Sequence, residues 1–303
     1  MRHPRHILIA GPTASGKSGL ALRLAEALDA LIVNADALQV YGCWQVLTAR
    51  PSAADLAIAD HTLYGHVVYT APYSVGAWLR DVAPLLAGTR RLIFVGGTGL
   101  YFQALTHGLA EVPATPQHIR AEGDALLAAE GRPAFQAYLA EHDPQLFARM
   151  DRQNPARLQR AWEVHRATGR PLSAWQEETG QPLIDGNACL KLSLVSDPNW
   201  LRERIDVRLE QMLEDGALEE CRSLLPVWDP GLPASRALGA AEFISVLRGE
   251  RDLDGALDAA KTATHQYAKR QRTWFRSKMS DWDQISGEML QDPQAINRII
   301  SMA

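Results

Sequence analysis

The chain is poor in everything that would let covalent or metal cross-links organise it. Its 303 residues include three cysteines, Cys43, Cys189 and Cys221, with no CxxC spacing, which argues against a disulfide framework and a thiolate zinc site. No run approaches the ~18 apolar residues of a membrane span. The opening Met1-Arg-His-Pro-Arg-His6 leads into a strand pattern without the layout of a signal peptide. A cytoplasmic protein with no membrane association is expected. Neither sign of charge dominates: 31 Lys and Arg against 35 Asp and Glu leave a net charge of -4. The sum disfavours a nucleic-acid partner, yet placement matters more than the sum. Internal repeats and low-complexity segments are also absent. With 47% hydrophobic residues, the chain can bury the core of one large domain plus a smaller insertion.

Against these absences stands one dense local signal. Gly11, Pro12, Thr13, Ala14, Ser15, Gly16, Lys17 and Ser18 fit the phosphate-cradling pattern Gly, four residues, Gly-Lys-Ser. The apolar stretch His6–Ala10 precedes it, and Leu20, Ala21, Leu24, Ala25 and Leu28 follow at helical spacing. In a strand–loop–helix setting the loop amides and the helix N-terminus face an anion. Lys17 then reaches a terminal phosphate, and the Ser18 hydroxyl can join the shell of a Mg2+ ion. A glycine turn matching by chance would lack the flanking strand and helix.

Parallel strands are expected at Leu31–Asp36, Arg91–Val95 and Cys189–Val195, with a short strand-like end at Trp282–Ile285. Ligands bind beyond the C-terminal ends of such strands, which places Asp36 near the phosphate loop. There its carboxylate can take a proton from a nucleophile or orient metal-bound water, or simply cap the next turn. The polar loop with Thr48 and Arg50 suits a substrate flap, and Gly96-Gly-Thr98-Gly forms a second glycine-rich wall. Ser74–Leu86 reads as a helix whose apolar stripe is core, with Ser74 as its cap. A helix is expected over Asn199–Leu225, on which Arg204 and Arg208 share a face. They either reach the phosphate site or pair with Glu203 and Glu210. Thr262–Lys278 carries Lys269, Arg270, Arg272, Arg276 and Lys278 with Tyr267, Trp274 and Phe275 interleaved. That composition suits unpaired nucleic acid, though a snorkelling surface helix looks similar. Residues 115–185 change character, helical and polar-faced. Their arginines (Arg149, Arg152, Arg157, Arg160, Arg166, Arg170) form either a solvated face or a binding face. The expected division is a core of 1–114 and 186–303 with an all-helical insertion at 115–185, in an α/β fold with a parallel sheet flanked by helices.

Taken together, GPTASGKS at Gly11, NAD and QVY between Asn34 and Tyr41, TARP at Thr48, VGGTGLY at Val95, NPARLQRA at Asn154, RIDVRLEQML at Arg204 and YAKRQRTWFR at Tyr267 resemble the tRNA dimethylallyltransferases. The resemblance covers nearly the whole chain. It implies a P-loop NTPase-like fold whose cradle, Gly11 to Ser18, holds the pyrophosphate of dimethylallyl diphosphate with Mg2+. It further implies an insertion that grips a tRNA anticodon stem-loop and transfer to the exocyclic nitrogen of the adenosine just 3' of the anticodon, by a monomer. Asp36, Thr98 and Arg208 would carry the chemistry, with Asp36 as base and Arg208 reaching the diphosphate. Asp36, Ala37, Leu38, Gln39, Thr98, Arg120, Ala156, Arg157, Leu158, Gln159, Arg160, Arg236, Lys269, Arg270, Arg272, Trp274 and Arg276 would contact tRNA. The chain departs from the family pattern at Ala37, where Ser is common, and at Ala240-Ala241, where Tyr and a basic residue are usual.

The chemistry agrees with the residues. An aromatic amine is a weak nucleophile, so transfer needs the allylic C–O bond loosened by positive charge on the leaving diphosphate. Two competing functions remain: a P-loop small-molecule or nucleotide kinase, and a nucleotide-switched RNA-binding module. No apolar strand ends in an Asp placed as a Walker B acid would be, and neither alternative needs the basic helix.

Overall fold

The computed structural model describes residues 5–303; the first four residues of the leader reading lie outside that range. Helices and strands succeed one another as β1 (Ile7–Ala10), α1 (Lys17–Leu28), β2 (Leu31–Asn34), α2 (Ala53–Ile58), β3 (His61–Thr62), α3 (Val75–Leu86), β4 (Leu92–Gly96) and α4 (Gly99–His107). Five helices follow, α5 (Gln117–Glu130), α6 (Arg132–His142), α7 (Pro144–Arg149), α8 (Pro155–Thr168) and α9 (Leu172–Glu177). The chain then continues through β5 (Leu190–Val195), α10 (Pro198–Glu214), α11 (Ala217–Leu224), α12 (Ala240–Leu247), α13 (Leu253–Lys278), β6 (Asp283–Ser286) and α14 (Pro293–Met302). Two compact units result, one formed by the chain up to Thr106 with Ile184–Ala303, the other by His107–Leu183.

In the first unit six parallel strands lie in the order β3-β2-β4-β1-β5-β6. The fold is of the P-loop type, a parallel sheet covered by helices. Alternation along β1 decides which layer each residue meets. Ile7 and Ile9 pack with Leu20, Leu24, Ile296 and Ile299 of α1 and α14. Leu8 and Ala10 face Trp78, Phe102 and Phe275 of α3, α4 and α13. The chain leaves β1 toward β2, but leaves the adjacent β4 toward β5. Loops after β1 and β4 therefore diverge at a topological switch point, where open α/β sheets hold ligands.

Several expected boundaries move. The helix expected over Asn199–Leu225 is two helices, because Gly216, at φ 101°, turns the chain after α10. Conversely, α13 begins at Leu253, well before Thr262, where Asp252 accepts a hydrogen bond from Gly255 N at 2.7 Å and caps it. Helix α2, closed by a reciprocal Ser52–Asp55 capping box, and the two-residue β3 were not expected. The second unit is all-helical, built on Phe135, Leu139, Leu158, Ala161 and Trp162.

Candidate active site

Strand order places three loops side by side, those after β2, β4 and β1. Asp36 follows β2, and its backbone is held by the fully buried Asn34: the Asp36 N–H donates to Asn34 Oδ1 at 2.9 Å, while Asn34 Nδ2 donates to the Asp36 carbonyl at 3.0 Å. Its carboxylate accepts from Leu38 N at 3.0 Å through Oδ1 and from Gly97 N at 3.3 Å through Oδ2. A charged acceptor fixed by two backbone donors keeps its remaining lone pairs aimed in one direction. Gly96 and Gly97 permit this approach. A Cβ at Gly96 would lie 2.0 Å from the Ala35 carbonyl oxygen, and one at Gly97 3.1 Å from Asp36 Oδ2. Thr98 contributes structurally, its hydroxyl accepting from Ala37 N at 3.0 Å.

The phosphate loop closes over the start of α1. Gly16 takes φ 92° as the N-cap and offers no side chain, so the first amides of the helix lack a side-chain acceptor. Ser18 is exposed in the first turn, and its hydroxyl has no partner among the described residues. Lys17 Nζ donates to the Pro12 carbonyl at 3.2 Å. Burial lowers the Lys17 pKa to about 8, with the nearby Asp36 charge opposing the drop and Arg208 adding to it. Burial likewise lowers Arg208, again opposed by Asp36 and reinforced by Arg204. Two cations crowded around one carboxylate leave positive charge in excess, which suits a multiply charged anion.

A cavity of about 50 Å³ brings Thr13, Lys17, Asp36, Gln39, Thr48, Arg208, Tyr267 and Gln271 together. Beside it an open cleft of about 850 Å³ shares Lys17 and Arg208 and adds Gly16, Ser18, Arg204 and the apolar Val46, Ala49, Val207 and Met212. Of the two readings open for Arg204 and Arg208, the pairing with Glu203 or Glu210 does not form. Arg204 Nε instead donates to the Ala14 carbonyl at 3.0 Å, with its guanidinium 4.7 Å from the Trp200 ring, and Glu210 binds Lys261 at 2.6 Å. Arg204 thus holds the phosphate loop, while Arg208 lines the same cavity as Lys17 and Asp36. The Thr48–Arg50 loop, read as a substrate flap, is anchored at its base: Gln39 Nε2 donates to the carbonyls of Thr48 and Ala49 at 2.8 and 2.9 Å.

On α13, Lys269, Arg270 and Arg276 are exposed and Arg272 is half-buried, and none forms an ion pair among the described residues. Arg270 lies 5.7 Å from the Tyr267 ring. Trp274 is packed over Gly99, where an added Cβ would come within 2.0 Å of the indole. Arg236 is exposed on a short turn before α12. In the helical unit Ala156 and Arg157 are exposed at the start of α8. Arg120 pairs with the buried Glu163 at 3.3 Å, Arg160 bonds Thr115, and Gln159 Nε2 donates to Asp124 and Glu163. Leu158 is different: it is 0% exposed in the core of that unit, so its side chain is unavailable to tRNA.

Sequence reading missed Gln271, which is 6% exposed and lies on the inner face of α13. Its Oε1 accepts from Thr13 N and its Nε2 donates to the Gly97 carbonyl, both at 2.9 Å. Residues 39–278 match the family model described as IPP transferase. The chain belongs to that family. It is 57% identical over 281 residues to the tRNA dimethylallyltransferase of Cereibacter sphaeroides, covering 93% of this chain and 88% of the relative. Among solved structures it resembles the full-length tRNA isopentenylpyrophosphate transferase of Bacillus halodurans at TM-score 0.69 and 28% identity, over 98% of this chain and 95% of that one. A eukaryotic dimethylallyltransferase captured acting on tRNA superposes at TM-score 0.82 and 25% identity, over 98% of this chain and 77% of that one. Like its relatives, this member of the family is a transferase. Among the described residues no helix is long and apolar enough to cross a membrane.

Proposed function

We propose that the protein transfers a dimethylallyl group from dimethylallyl diphosphate to the exocyclic N6 of the adenosine 3'-adjacent to the tRNA anticodon. The observation that carries the proposal is the Asp36 carboxylate sharing one cavity with Lys17 and Arg208. The diphosphate lies on the loop Gly11 to Ser18, with Lys17 and Arg208 opposite its charge. These groups strengthen as the C–O bond breaks and negative charge gathers on the leaving oxygen, so they stabilise the transition state more than the bound donor. N6 attacks the allylic carbon, the C–O bond breaks, and the N6 proton passes to Asp36 while diphosphate departs.

A divalent cation suits this site. The Ser18 hydroxyl stands partnerless beside the cleft, and Mg2+ prefers substrate phosphate oxygens and water over an all-protein cage. When bound, Mg2+ would neutralise part of the leaving-group charge. Asp36, whose oxygens already hold Leu38 and Gly97, is left for the amine.

The target base must leave its stack to bring N6 to Asp36, which favours a single-stranded anticodon loop. Lys269, Arg270, Arg272 and Arg276 on α13 and Arg236 are assigned to tRNA contact, as are, within the helical unit (residues 115–185 in the expected division), Arg120, Arg157 and their neighbours. Action in the cytoplasm as a monomer completes the proposal. The relatives do not favour the kinase alternative.

Purified protein incubated with Mg2+, dimethylallyl diphosphate and unmodified tRNA bearing that adenosine is expected to yield prenylated adenosine by mass spectrometry. ATP turnover with no added prenyl mass refutes the proposal.

A further inference from the structure

Three loops carry the chemistry above, and a single side chain holds two of them in register. Thr13 belongs to the loop after β1 and Gly97 to the loop after β4. Gln271, reaching in from α13, accepts from the Thr13 N–H and donates to the Gly97 carbonyl at 2.9 Å each. No other side chain among the described residues bonds the phosphate loop to this turn. The Gly97 N–H in turn donates to Asp36 Oδ2 at 3.3 Å. The result is one continuous chain of hydrogen bonds from the cradle of the leaving group to the base.

We propose that Gln271 is a positioning residue that fixes the separation between the bound diphosphate and Asp36. The Gln271 carboxamide supplies the acceptor at one end and the donor at the other; a carboxylate lacks the donor and a leucine lacks both. With Gln271 only 6% exposed, water cannot easily replace either partner. Gly97 is matched to it, since a Cβ there would lie 2.3 Å from Gln271 Nε2. Misplacement of reacting groups by about 1 Å can cost on the order of 100-fold in rate, and beyond the β1–β4 pairing at their bases the two loops have no other side-chain tie among the described residues.

The assignment rests on the proposed prenyl transfer, and its test separates the two. Gln271→Leu removes both hydrogen bonds, and Gly97→Ala displaces the same amide from the opposite side. In steady-state transfer to tRNA each folded variant is expected to lose at least about ten-fold in kcat while KM for tRNA stays within about two-fold. Escape of the donor to water should rise relative to transfer. In that side reaction the donor C–O bond breaks and water forms the new C–O bond, giving the allylic alcohol, diphosphate and a proton. Melting curves identify a variant that fails to fold, in which case the other decides. Wild-type kcat in the folded variants, or a rise in KM that accounts for the whole loss, overturns the assignment while leaving prenyl transfer intact. A wild-type protein that transfers no prenyl group overturns both.

Discussion

Asp36→Asn tests the centre of the mechanism with little change in shape. The amide keeps an oxygen for the Leu38 N–H, now 3.0 Å from Oδ1, but it loses the charge and the proton acceptor. Placing its NH2 on the other side sets a donor against the Gly97 N–H, which now bonds Oδ2 at 3.3 Å. Positioned proton transfer contributes about 10²–10⁴-fold. The lower end applies here, because breaking the allylic C–O bond dominates the barrier and the proton leaves as charge develops on nitrogen. A fall of about 100-fold in single-turnover rate, roughly 2.7 kcal/mol, is therefore expected at saturating tRNA, far more than any loss of tRNA affinity. A second consequence follows from charge. Asp36 opposes the burial that brings Lys17 down to about 8, so its neutralisation lowers Lys17 further. Lys17 grips diphosphate as the ammonium ion. Its contribution is present below its pKa and is lost as pH rises through about 8, and in the variant that loss moves to lower pH. Donor affinity titrated between pH 6 and 9 reads the shift directly. An unchanged rate together with an unchanged midpoint would refute both roles of Asp36.

Reversing charge at Arg270 and Arg272 to Glu is expected to weaken tRNA binding and to reduce the slope of log K against log salt by roughly 1.4, as for two lost phosphate contacts on a single strand; filter binding across a salt series checks it, and an identical slope returns α13 to an ordinary solvated face. Leu158→Ala should destabilise the helical unit by about 2–5 kcal/mol, because a fully buried leucine leaves a cavity among Phe135, Leu139 and Trp162. Chemical denaturation measures the loss, and a change under about 1 kcal/mol would place Leu158 outside the core.

How much of the site could be read from sequence follows from how far apart its parts lie along the chain. The phosphate loop is contiguous, and the β1 and α1 patterns flanking it are complete on their own, so its place was readable from that one stretch. Asp36 was readable at one remove, since a polar residue ending an apolar strand must emerge at the ligand edge of a parallel sheet. Leu158 shows where a motif misleads. It sits inside a segment taken whole as a contact, but the rotation of α8 turns it into the core while its neighbour Arg157 stays exposed. The start of α13 escaped notice because its buried face there is Ala256 and Ala260, small residues at helical spacing that carry little hydrophobic signal, and Thr264 and Ala268 continue that face. Their smallness lets α13 lie close against the elements it covers, and Gln271 continues that same buried face toward the sheet edge. It meets Thr13 across 258 positions of sequence, a pairing no local period encodes. The groups that hold charge were thus legible one by one, whereas the distance between them is set by an amide that becomes functional only once three strand ends have been brought into line.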